Sequence, residues 1–109
     1  MAAVVGVLPL TAAAGQMAAV PAELWEQPRT ARAMLAQPVL RQAVTALLAR
    51  GAAGLTIHYG GGEEDLLRAE ELRAWLIALA VDNEQIALAS DLPGAGGLQI
   101  ELTTKRGQQ

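Results

Sequence analysis

A chain of 109 residues with a formal net charge of −3 and a pI near 5.0 is long enough for one domain with short tails, and it lacks the basic surface that nucleic acid or electrostatic docking to anionic lipid would need. Cysteine is absent, which excludes disulfides, thiolate nucleophiles and thiolate metal sites. The hydrophobic fraction of 52% is rich in alanine, aromatics make up 3% and phenylalanine is missing, so the core must be modest and built from leucine, isoleucine, valine and two tryptophans.

The stretch from Met1 to Val20 carries no charged side chain, and residues 2–10 are almost all apolar. Ala12-Ala13-Ala14 supplies the small residues that a signal peptidase accepts, while Pro9 and Gly15 break the run before it reaches membrane-spanning length. Residues 1–20 therefore read as a secretory signal or, because the first basic residue of the chain is Arg29, as an alanine-rich disordered arm. The body of the domain is expected over residues 21–104, with a polar tail at 105–109.

Pro28 biases Gln27 away from helix and makes the segment around Trp25 an extended or turn piece. Thr30 is placed to cap a short helix through Met34 and Leu35. Pro38 suits the first position of a second helix, where its missing N–H costs nothing. In that helix Leu40, Ala43, Val44, Leu47 and Leu48 recur on one face, and Gly51 supplies the stop. Leu55 to Tyr59 alternates as a strand with Leu55, Ile57 and Tyr59 facing inward. Gly60-Gly61-Gly62 breaks it, and Glu63-Glu64-Asp65 puts acidic groups where the dipole of a following helix favours them. That helix is expected to reach about Val81, with Leu72, Trp75, Leu76 and Leu79 as its buried stripe. A turn at Asp82-Asn83 leads to a strand at Gln85 to Ala89. After the loop Pro93 to Gly97, the alternation of Leu98, Ile100 and Leu102 marks a third strand.

Strand, helix and strand make a βαβ unit with parallel strands. The short connection between the last two strands predicts an antiparallel C-terminal β-hairpin. The fold class that results is α+β: a two-layer sandwich with a small mixed sheet and its helices on one face.

Within the long helix, Arg68-Ala69, Leu72, Trp75-Leu76, Ala80-Val81 and then Ile86 fall at the intervals of an Arg-Ala pair, an apolar residue, Tyr-Leu, Gly-Val and the Ile of the next strand. In this the region from about Val39 to Leu102 resembles the OmpA-like peptidoglycan-binding family. The resemblance implies that Arg68 stands where the family's arginine grips the diaminopimelate of peptidoglycan. The family's partner aspartate has no counterpart in the loop Gly60-Gly61-Gly62-Glu63-Glu64, and its Arg-Arg pair at the last strand is replaced by Leu98-Gln99. What the resemblance implies is an envelope scaffold, periplasmic or otherwise exported, whose peptidoglycan residues are largely lost. Its partner would be an envelope protein, a second copy of the chain, or weakly held peptidoglycan.

The candidate ligand-binding residues are Arg68, with His58 and Gly61 beside the loop. Each has a plainer reading. Arg68 lies one turn from Glu64 and from Glu71, so it can form surface ion pairs worth ~0.3–0.5 kcal/mol each. The triple glycine is not followed by Lys-Ser or Lys-Thr and precedes acidic residues, so it is not a phosphate loop. His58, the only histidine, and Ser90, the only serine, would need an oriented acid such as Asp91 and an oxyanion hole to form a hydrolase, and no nucleophile elbow surrounds Ser90. No catalytic residue, metal ligand set or cofactor is assigned. His58 is expected on the exposed sheet face, Trp75 in the core, and Trp25 over the sheet edge or against a partner.

Overall fold

The structure, a computed structural model, describes residues 17–49, 54–94 and 97–103. The first sixteen residues of the signal-like segment, the stop at Gly51 and the 105–109 tail lie outside the described residues.

Strand β1, Met17–Val20, ends at Pro21, which has no N–H to continue a ladder. Pro21 instead opens a 3₁₀ turn, Ala22–Glu26, whose Leu24 is fully buried. Helix α1, Ala31–Ala36, starts at Thr30, whose hydroxyl accepts the Ala33 N–H at 3.0 Å, as its capping residue type predicts. Gln37 separates it from α2, Pro38–Ala49, which begins at the proline. The buried face of α2 carries Leu40, Ala43, Val44 and Leu47 together with Ala46. Leu48, expected on that face, is 51% exposed. Ala46 and Leu48 flank the stripe at similar angular distances, and the small alanine is the flank laid against the core.

Strand β2, Gly54–Tyr59, is followed by α3, Glu63–Ala78, with Glu63, Glu64 and Asp65 in its first turn. The buried residues of α3 are Asp65, Ala69, Leu72 and Leu76. Its end is closed by two bonds, Val81 N–H to Leu76 O and Ala80 N–H to Ile77 O, both 3.0 Å. This double closure is a Schellman cap, with Val81 and Leu76 buried together. The capping turn thus reaches Val81, the expected helix end. Ala80 takes φ +84° there, a left-handed conformation that costs an L-residue ~1–2 kcal/mol. Ala80→Gly is expected to raise stability by ~0.5–1 kcal/mol in urea unfolding, the strain relieved less the extra entropy of an unfolded glycine.

A 3₁₀ turn, Asn83–Gln85, leads into β3, Ile86–Ala89, and the last strand is β4, Leu98–Thr103. The strand order is β1-β4-β2-β3. Strands β2 and β3 are parallel, with Leu55 opposite Ile86, as the βαβ reading requires. The C-terminal hairpin is corrected: β4 does not pair with β3 but lies antiparallel to β2 on its other side, and antiparallel to β1. There it gains ladder hydrogen bonds on both edges and sets Leu102, Ile100 and Leu98 opposite Leu55, Ile57 and Tyr59. A hairpin with β3 would have left the apolar strand β2 as a sheet edge. The domain boundary at residue 20 is corrected as well, because Met17–Val20 pairs with β4 and Val20 is buried.

Residues Val20, Leu55, Ile57, Ile86, Leu98 and Ile100 of the sheet form one core with Met34, Leu40, Leu47, Leu72 and Leu76 of the helices. The architecture is the expected α+β, with a small mixed sheet. Because side chains alternate along a strand, Thr56, His58, Gln99 and Glu101 fall on the sheet face away from this core.

Candidate functional site

Arg68 projects from α3 toward the segment after β1. Its Nη2 lies 2.9 Å from Glu64 Oε2, and its guanidinium sits over the Trp25 ring, 5.7 Å from the centroid. Arg29 approaches the same ring at 5.5 Å. Arg29 also donates to both carboxylate oxygens of Glu71, at 2.9 and 3.3 Å, and to the carbonyls of Trp25 and Gln27. Trp75 Nε1–H completes the cluster by donating to Glu71 Oε2 at 3.2 Å. The Arg29 hydrogen bond holds the Glu71 carboxyl below its ordinary range, against the opposing pull of partial burial and with help from Trp75. Together these contacts fasten the Trp25–Arg29 segment along the outer side of α3.

Trp75 therefore differs from the expected core placement. It is only partly buried, because its bond to Glu71 holds the indole along the helix surface. Trp25 is partly buried against the core with two guanidinium groups over its ring, so its aromatic surface is already used within the chain.

His58 lies on the sheet face away from the core, but it is buried there, which corrects the expected exposed placement. Two carboxylates cover it. Nδ1 is 2.8 and 3.0 Å from the two oxygens of Asp91, and Nε2 is 2.9 Å from Glu101 Oε1. Both ring nitrogens donate only in the imidazolium form. Burial pulls the His58 pKa down, but the hydrogen bonds and charges of Asp91 and Glu101 outweigh it and raise the group above its ordinary value.

This arrangement bears on the chemistry. A catalytic histidine keeps one nitrogen for an acid and turns the other toward a hydroxyl. Here carboxylates take both nitrogens, and one of them, Asp91, is the acid the sequence suggested. Glu101 was not anticipated. Its place beside His58 follows from the β2–β4 register, where Gln99 stands opposite His58 and Glu101 lies on the same face one side-chain step along.

Gly61 is exposed, and its N–H already donates to Gly94 O at 3.3 Å, so it is not aimed at an external anion. Among the described residues no hydrogen bond or ion pair links Arg68, His58 and Gly61 to one another, and they do not form one site. A cleft of about 360 Å³ does open near the end of the sheet, between Val20 and Leu98 on one side and Leu92, Pro93 and Gly94 on the other. Its lining offers backbone groups and the Gln99 side chain but no charged residue. Among the described residues no cluster of histidine and carboxylate side chains could hold a metal ion, and no helix is long and apolar enough to cross a membrane. Comparison with family profiles, with curated proteins and with solved structures finds no match.

Proposed function

We propose that the chain is a non-catalytic binding or scaffold domain of the bacterial cell envelope, of OmpA-like type, in which the residues for peptidoglycan have been turned to internal use. The observation that carries this reading is the engagement of Arg68, the one ligand residue the resemblance retains, with Glu64 and the Trp25 ring. Support for the scaffold comes from Ala80. It occupies a left-handed capping position, and the resemblance puts the glycine of a Gly-Val pair at that point, the residue such a position favours. The uncharged, apolar beginning of the chain supports export. Cleavage after Ala14 would leave β1 whole.

Co-sedimentation with purified peptidoglycan tests the reading. The wild-type protein is expected to stay in the supernatant, and Arg68→Ala to behave identically while losing at most ~1 kcal/mol of stability, since an exposed ion pair and one cation–π contact are all it removes. Sedimentation of the wild type that Arg68→Ala abolishes would overturn the loss of the ligand site.

A second reading, self-association without a small-molecule ligand, is favoured by β3. It is an outer strand of the sheet order, and Ile86–Ala89 has neither a charge nor a proline to discourage pairing with another strand. Analytical ultracentrifugation separates the two readings: a concentration-dependent dimer supports self-pairing, and a strict monomer ends it.

A further inference from the structure

We propose that His58 is a proton-dependent latch that holds the Asp91–Gly94 segment against the end of β2. The geometry demands two donors from one ring, with Asp91 at 2.8 Å on Nδ1 and Glu101 at 2.9 Å on Nε2. A neutral imidazole has a single N–H, so after losing its proton it can serve only one carboxylate and presents a lone pair to the other.

The partner that lets go is Asp91. Glu101 is fixed on β4, which is paired on both edges, and its side chain is 28% exposed. Asp91 lies beyond the end of β3 with its side chain 55% exposed, so its carboxylate can rotate into water. What it restrains follows directly in the chain. Leu92 N–H donates to Tyr59 O at 3.1 Å, and Gly61 N–H donates to Gly94 O at 3.3 Å. These two bonds and the His58–Asp91 pair fasten one short segment to His58, Tyr59 and Gly61, at and just beyond the end of β2. Leu92, Pro93 and Gly94 are also one wall of the cleft, so releasing the segment alters the shape of that wall.

Acids meet the ring on two sides. Asp91 faces it from beyond β3 and Glu101 from β4; the residues opposite it in register are Ala89 and Gln99. On its own strand the same face carries Thr56, and Asp65 of α3 is buried next to Gly60, two residues on. Among the described residues the charged groups that contact the ring are thus both acids, and each favours its protonated form. The raised pKa of His58 agrees with this and puts the release above pH 6.5, the ordinary histidine value.

Amide hydrogen exchange followed by NMR between pH 6 and pH 9 tests the latch, read as the protection factor of the Leu92 N–H after correction for intrinsic exchange. In the wild type this factor is expected to fall about tenfold as the His58 ring titrates, the worth of one charge-assisted hydrogen bond. Asp91→Ala should show the low value at every pH. Glu101→Gln should show the high value throughout, because its amide can donate to the neutral Nε2 and leave Nδ1–H for Asp91. Constant protection in the wild type through the ring's titration would overturn the proposal, as would a pH-dependent fall that persists in Asp91→Ala or in Glu101→Gln.

Discussion

Gly60→Ala is expected to destabilise the domain by about 3 kcal/mol, while Gly61→Ala one residue later changes stability by no more than ~0.5 kcal/mol. A Cβ at position 60 would fall 2.1 Å from the Gly94 carbonyl oxygen and 3.1 Å from Asp65 Oδ2. Neither neighbour can simply step back. The Gly94 carbonyl accepts the Gly61 N–H, Leu92 of the same segment is tied to Tyr59 O, and Asp65 is buried in the first turn of α3. The new methyl group must therefore push the segment off the sheet or shift the start of α3. At position 61 a Cβ would meet nothing within 4 Å. Urea unfolding of the two variants side by side reads this as a large drop in midpoint for the first and almost none for the second. Equal midpoints would mean that the Gly60–Gly94 approach is not a constraint on the fold.

The same pair of glycines illustrates what the sequence could reveal. The triple glycine announces a break between strand and helix, and the structure has one there. Nothing local says that Gly60 is the indispensable member, because the atom that forbids a side chain belongs to Gly94, far along the chain. Elements whose signals are local were legible: Thr30 as a cap, Pro38 as a helix start, the acidic first turn of α3 and the alternation of β2 and β4. Strand partners were not. The alternation of Leu98, Ile100 and Leu102 fits any neighbour that faces the same core, and a short connection to β3 suggested a hairpin. Pairing with β2 sets Leu98, Ile100 and Leu102 opposite Tyr59, Ile57 and Leu55 and leaves the other edge of β4 for β1.

The candidate site failed to be legible for the same reason. His58 was singled out as the only histidine, and Asp91 as a possible acid, but Glu101 depends wholly on the β2–β4 register. Had β4 paired with β3, its carboxylate would stand away from the ring. Arg68 shows the complementary case: its helix position is readable, but its occupation by Trp25 depends on how the segment after β1 folds back over α3. Pro28 marks Gln27 as extended, which it is, yet a short 3₁₀ turn and the extended chain after it give no period from which to infer what they cover.

Replacing His58 by glutamine tests how much the doubly bound ring contributes to the whole fold. At pH 6 the variant is expected to be about 2 kcal/mol less stable than the wild type, since it loses charge-assisted hydrogen bonds to two acids that water partly screens. The sign of the pH effect follows from the direction of the His58 shift. The folded protein holds the His58 proton more tightly than the unfolded chain, whose histidine titrates near 6.5. Between the two values the native state binds more protons, so stability falls as pH rises. The contribution is complete below about 6.5, while both acids are ionised, and is lost as pH climbs through the raised folded value. The gap between wild type and His58→Gln should accordingly narrow by about 1 kcal/mol from pH 6 to pH 9, the difference between charged and neutral hydrogen bonds. Subtracting the variant removes every other titration the two proteins share. A gap that stays constant over this range would show that the proton on His58 does not help hold Asp91 and Glu101 together, leaving the ring as packing alone.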